Sequence, residues 1–267
     1  MRPLFDSCTE GTKAMLTGLE LYYLERAGYF VRRGVLTGGL LEACREAAGR
    51  IAERGEAEEP VELLSPDADE PALLEALAHP QIVGVPEDLF REHAACLQAH
   101  LLVPLSGEGL RSAWHRDQGP DLDAPAGEQM AHLERYSRNI QVRAALHEDA
   151  SLLVMPGTHT TPLPPELRDP LRDDPCAELA GQVRIRLEPG DVVFYNGNLL
   201  HREEVADTQI RQTLHAVFVS LLQPPPRQEI PLLLSEPASL QSLPPRLRPM
   251  VERSAGAAVP SRARADR

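Results

Sequence analysis

The sequence predicts a mainly β fold with flanking helices: a sandwich or barrel of short strands preceded by a helical part. Between residues 97 and 222 the segments LQAHLLVPL, NIQVRAALH, SLLVMPG, QVRIRLEPGDVVFY and RQTLHAVFVSLL are short, rich in Val, Leu and Ile, and often alternate apolar with polar. Clusters of Gly, Pro, Asp and Asn separate them, as turns require. Few of these strands alternate with long helices, which argues against a doubly wound parallel sheet. A chain of 267 residues is ample for one large domain with a substantial core.

The elements follow in order. Residues 36–55, LTGGLLEACREAAGRIAERG, place Leu40, Leu41, Cys44, Ala47, Ala48 and Ile51 on one helical stripe, with Thr37 as N-cap and Gly55 as stop. The acidic, proline-marked stretch 56–71 reads as a solvated connection holding one short strand. PALLEALAHP and PEDLFREHAACLQ read as two short helices, each opened by a proline. Residues 1–96 are thus expected to be a helical part and 97–222 the strand-rich core. Residues 223–255 should form a C-terminal wrap and 256–267 a disordered tail, all but the tail making one domain. The segment 116–138 is long, polar and poor in strand formers, the character of a lid or binding loop.

Composition excludes several functions. A net charge of −13 disfavours general binding to nucleic acid or anionic membrane. No stretch approaches the roughly 18 to 20 apolar residues of a membrane span. The start, MRPLFDSCTEGTKAM, lacks the apolar run of a secretory leader, so a cytoplasmic protein is expected. Cys8, Cys44, Cys96 and Cys176 form no CxxC pair; they are expected to be reduced thiols, mostly buried. Lys13 is the only lysine.

One constellation carries chemistry. WHRD puts His115 and Asp117 two positions apart, where an extended backbone points both the same way and turns Arg116 the other way. Two histidines and a carboxylate on one face of the ion are how non-haem iron(II) oxygenases hold their metal. PGDVVFYNGNLLHR supplies a strand, a turn and then His201, and Arg211 follows ten positions later at the head of a strong strand. Arg211, Thr213 and His215 share one face of it. An arginine pointing inward needs an anion, and a dicarboxylate would offer a bidentate partner.

Taken together, WHRD, the turn Pro156-Gly157-Thr158-His159 within SLLVMPGTH, and PGDVVFYNGNLLHR followed by Arg211 resemble the phytanoyl-CoA dioxygenase family of Fe(II)/2-oxoglutarate oxygenases. The resemblance covers about residues 95–222. It implies a double-stranded β-helix, or jelly-roll, core, with His115, Asp117 and His201 as iron ligands and Arg211 as partner of the far carboxylate of 2-oxoglutarate. Thr213 can touch the same carboxylate by its place on the strand, and Gln98, before WHRD, can face the co-substrate. The implied cofactor is Fe(II), with 2-oxoglutarate and O2 as co-substrates. Because the carboxylate Asp117 is present, the implied reaction is oxidation, foremost hydroxylation, of a C–H bond in a small molecule, with release of succinate and CO2. Desaturation, ring closure and epoxidation stay open.

Two alternatives keep the same ligands: a cupin-like Zn or Mn hydrolase or isomerase, and a non-catalytic binding member of the fold. The charge disfavours a CoA ester and favours a free secondary-metabolite or biosynthetic intermediate; a carrier-bound substrate and the choice of monomer or homodimer stay open. His159 is expected to be structural. His215 and His100 read as core or pocket-lining, Trp114 as packing beside the site, and His79, His93, His132 and His147 as surface or loop residues. Arg135, Arg138 and Arg143 are expected around the lid, each solvated.

Overall fold

The computed structural model describes residues 15–54, 60–65, 69–103, 111–117, 119, 121–205, 211–224 and 240–258. The chain opens with α1 (Gly18–Arg26), started by a capping box in which Thr17 Oγ1 accepts from Glu20 N and the Glu20 carboxylate accepts from Thr17 N. β1 (Tyr29–Arg32), α2 (Gly38–Glu53), β2 (Val61–Glu62), α3 (Pro71–Leu77), α4 (Pro80–Phe90) and β3 (Ala94–Leu102) follow. Then come α5 (Ala126–Arg135), β4 (Asn139–Ala145), β5 (Leu152–Val154), α6 (Pro165–Asp173), β6 (Val183–Arg184), β7 (Val192–Tyr195), β8 (His201–Glu203), β9 (Thr213–Ser220) and α7 (Arg248–Ala258).

The strands form two antiparallel sheets. The larger runs β1-β7-β4-β9-β3-β2 and the smaller β6-β5-β8. Alternation splits the larger sheet into two unlike faces. Its outer face carries Phe30, Phe194, Ile140, Val142, Leu214, Ala216 and Phe218, which join the buried stripes of α2, α3, α4 and α7 in the main core. Phe30 and Phe194 stack with centroids 4.8 Å apart. The inner face is mostly polar, in two cross-strand rows. One runs Gln98, Val217, Gln141, Tyr195, Tyr29, and the next His100, His215, Arg143, Val193, Val31. Val193 and Tyr195 of this face meet Leu152 and Val154 of the smaller sheet, and Ile185 just past β6, in a second apolar cluster.

Several sequence expectations change. PEDLFREHAACLQ is not one helix: α4 starts earlier, at Pro80, holds Pro86 inside it, and hands over to β3 at Ala94. QVRIRLEPGDVVFY is two strands in different sheets, β6 and β7, parted by the turn at Gly190. The first 96 residues are not only helical, because β1 is an edge strand of the larger sheet. Residues 116–138 contain α5, whose Gln129 and Leu133, one turn apart, are buried. Thr37 does stand at the N-cap of α2, but its side chain makes no capping bond. In the C-terminal wrap α7 lies along β3, with Arg253 Nε donating to Ala94 O at 2.7 Å. Cys8, Lys13, Gly55, residues 225–239 and the tail from 259 lie outside the described residues. Among the described residues, no helix is long and apolar enough to cross a membrane.

Gly190 ties the N-terminal part to the β-sheets. It has φ +87°, its carbonyl accepts from Val35 N and Leu36 N, and a Cβ there would stand 2.0 Å from Leu36 O. Gly190→Ala is therefore expected to cost at least about 1–2 kcal/mol, from backbone strain alone, and so to lower Tm by at least about 2–4 °C. Thermal unfolding followed by circular dichroism measures this, and an unchanged Tm would remove the packing constraint.

Candidate metal centre and anion cluster

The site begins with a reciprocal backbone pair. His115 N donates to His201 O at 2.9 Å and His201 N donates back to His115 O at 3.0 Å, while Asp117 N donates to Gly197 O at 3.0 Å. Residues 114–117 thus extend the smaller sheet at β8 without forming a regular strand. Trp114 braces them from behind: its indole N–H donates to Ala177 O at 2.8 Å, and the Arg202 guanidinium stacks 5.4 Å from its ring. Arg116 turns away, donating to Thr158 O at 2.8 Å and Thr161 O at 2.9 Å.

His115, Asp117 and His201 each offer a ligand atom, all within 4.8 Å of one another. The two Nε2 atoms lie 3.6 and 3.5 Å from Asp117 Oδ1. Each Nδ1 faces a backbone carbonyl, Ala113 O at 2.9 Å for His115 and Leu199 O at 2.8 Å for His201. A carbonyl only accepts, so Nδ1 carries the proton and each Nε2 keeps a lone pair for a metal. Burial alone would raise the pKa of Asp117, but His201 and His115 beside it hold it well below the usual carboxylate range. Its Oδ2 is buried with no protein hydrogen-bond partner. The donor set suits iron(II): two imidazoles and one ionised carboxylate. Gly197 is needed beside it, because a Cβ there would lie 2.7 Å from Asn139 Oδ1 and 3.1 Å from Asp117 Oδ2.

A buried charge cluster adjoins the centre. Glu203, two residues past His201 and on the same face of β8, accepts from Arg211 Nη1 at 2.8 Å and also from Arg143 Nη2. Burial would raise its pKa, but Arg143 and Arg211 keep it far down. Asp149 accepts from Ser151 N and from Thr213 Oγ1, both at 2.8 Å. Arg211 Nε and Nη2, one edge of the guanidinium, are buried with no acceptor, as is Arg143 Nη1. That edge is the geometry that grips a carboxylate in two bonds, so the residues fit a dicarboxylate.

The structure thus brings His115, Asp117 and His201 together and sets Arg211 beside Glu203, which lies two residues past His201 on β8. The Thr213 hydroxyl is given to Asp149. Gln98 lies on the inner face, half-buried, across Val217 from Gln141. Arg143 is not at a lid. It is buried on β4, with Nε donating to Tyr195 Oη at 3.1 Å. His215 is half-buried, bonded to Gln141 Oε1 at 2.5 Å; desolvation first, then Arg143, pushes its pKa down to about 3. His100 pairs with Glu62 at 3.1 Å. His159 packs under Gly28 in the core, and burial takes its pKa down to about 4.

Sequence reasoning missed Glu203, Arg143 and Asp149. The first two were legible. Glu203 follows a ligand at strand spacing, and in NIQVRAA the apolar Ile140, Val142 and Ala144 leave Gln141 and Arg143 on the other face. Asp149 sits in a loop, where no periodicity points.

The model of the phytanoyl-CoA dioxygenase family matches residues 24–204, a span that takes in the helical part, WHRD and His201. The chain belongs to the phytanoyl-CoA dioxygenase family. As a member it is a non-haem Fe(II)/2-oxoglutarate-dependent oxygenase acting on a small molecule, with Fe(II) as cofactor and 2-oxoglutarate as co-substrate. Among solved structures, EctD from S. alaskensis with bound Fe is similar in fold: 18% identity over 87% of this chain and 88% of that one, TM-score 0.63. HygX from Streptomyces hygroscopicus, with nickel and 2-oxoglutarate bound, shares 15% identity over 77% and 88%, TM-score 0.62. The non-heme alpha ketoglutarate dependent epimerase SnoN from nogalamycin biosynthesis shares 18% over 74% and 79%, TM-score 0.52. No curated protein sequence matches the chain.

Asp149 gives a pH test of the cluster. Burial opposes its ionised form, but Arg211 and the Ser151 and Thr213 bonds outweigh that and depress its pKa. A depressed folded pKa gives stability that is present above the unfolded value, about 3.9, and is lost as pH falls below it. Asp149→Asn should therefore be less stable than the parent by about 1–3 kcal/mol at pH 7. The gap should narrow toward pH 3 in urea titrations; a gap independent of pH would show that the Asp149 charge contributes nothing.

Proposed function

We propose that His115, Asp117 and His201 hold the iron, that Arg211 takes the far carboxylate of 2-oxoglutarate, and that the enzyme hydroxylates a C–H bond of a small polar molecule, a biosynthetic intermediate. The observation that carries the proposal is one juxtaposition: three converging ligand atoms, and two residues past His201 a glutamate leading to a guanidinium with a buried, unused edge. We read residues 1–255 as one domain whose sheets are the two halves of a jelly roll. This reading is supported by β1 and β7 pairing across the chain and by α7 closing over β3.

Bound together, iron and 2-oxoglutarate supply the oxidising power, coupling loss of CO2 and formation of succinate to attack on the substrate. The protein's share is position. The Ala113 and Leu199 carbonyls aim the two imidazoles, Gly197 leaves Asp117 its room, and Trp114 and Arg116 fix the backbone that carries them. Dryness comes from Tyr195 and the apolar cluster between the sheets.

For substrate, a cavity of about 370 Å³ opens beside His115, whose side chain is 45% exposed. Asp121, Asp123, Arg168 and Arg172 line it, and Arg172 Nε donates to Asp123 at 2.6 Å. Charged groups of both signs suit a polar substrate better than an acyl chain.

In anaerobic solution, Fe(II) and 2-oxoglutarate together should give a visible metal-to-ligand charge-transfer band. Asp117→Ala should abolish it and weaken iron binding by at least about 10–100-fold, the scale seen for lesser changes around metal sites. A full band in the folded variant would rule out Asp117 as a ligand.

A further inference from the structure

The charge cluster is balanced before any co-substrate arrives. Two guanidiniums, Arg143 and Arg211, face two carboxylates, Glu203 and Asp149; all are buried but Glu203, which is half-buried. Glu203 stands at the centre. Its backbone is fixed by β8, its backbone N–H donates to Ser112 Oγ at 2.8 Å, and its carboxylate bridges the two arginines. It occupies only one arm of Arg211, so the Nε–Nη2 edge stays available. An incoming carboxylate on that edge therefore shares Arg211 with a resident carboxylate, and two like charges meet on one guanidinium in a site of low dielectric.

We infer that Glu203 sets the affinity of the enzyme for 2-oxoglutarate, acting as a built-in carboxylate that keeps dicarboxylate binding weak. This rests on Arg211 as the co-substrate's partner and adds a residue that opposes it. Removing the charge frees half the cluster for the co-substrate. Glutamine keeps the length and one acceptor oxygen for the arginines, so the shape of the site is retained. A neutral far group on the ligand would not feel Glu203, so the effect is confined to ligands charged at that end.

The test is equilibrium binding by calorimetry, without oxygen, to the Fe(II)-loaded full chain. The ligands are 2-oxoglutarate and its analogue with an amide at the far end. Glu203→Gln is expected to bind 2-oxoglutarate about tenfold more tightly, equivalent to about 1.4 kcal/mol, and the amide with unchanged affinity. Equal or weaker 2-oxoglutarate binding, or equal gains for both ligands, would overturn the inference. If glutamine disturbs folding, Glu203→Met removes the charge at similar reach and must show the same selective gain. Arg211→Met separates the two levels. If it loses 2-oxoglutarate affinity while the Glu203 variants gain none, only the role of Glu203 fails. If it leaves 2-oxoglutarate affinity intact, the placement of the co-substrate fails with it.

Discussion

The pair of backbone hydrogen bonds between His115 and His201 is the constraint on which the site rests. It sets two imidazoles side by side, with ring centroids 4.4 Å apart, although one sits in an irregular segment and the other heads a three-residue strand. Once that register is fixed, strand alternation decides the rest. Asp117 points where His115 points. On β8, Arg202 goes out to meet Trp114, and Glu203 comes in to meet Arg143 and Arg211. A one-residue slip would send every one of these groups to the opposite face.

The larger sheet supports this by having two faces of different chemistry. Its outer face is apolar and sealed by helices, which anchors it. That leaves the inner face free to carry Gln141, Arg143, Tyr195 and His215, bonded to one another rather than to water. Buried polar groups of this kind are tolerated only when mutually satisfied. Asp117 Oδ2 and the Arg211 edge are among the buried polar atoms left without a protein partner, and in the proposed function they are the two that receive a cation and an anion.

How much of this was legible follows the physics of each signal. The strands of the core and the helix α2 announce themselves by period, and HxD with a later histidine and arginine reads as a metal centre because strand spacing converts directly into direction. Glu203 and Arg143 carried the same signal. Arg143 was taken for a solvated residue because an arginine inside a sheet is improbable until its partner on another strand is known, and that partner is fixed only by the fold. Short elements left little trace: β1 and β6 are four and two residues long, and β6 and β7 look like one run until the turn at Gly190 parts them. The helix α5 was hidden in a polar segment because it buries only two residues and one of them is Gln129, whose side-chain amide donates to Leu122 O and Ala124 O.

The central claim is that one iron sits between two imidazoles and a carboxylate with 2-oxoglutarate beside it. X-ray absorption at the iron edge, on the anaerobic protein loaded with Fe(II) and 2-oxoglutarate, tests it most directly. The account predicts one iron per chain in a shell of oxygen and nitrogen only, with outer scattering from two imidazole rings that falls to one in His201→Ala. Sulfur in the shell, or an imidazole count unchanged by that substitution, would contradict it.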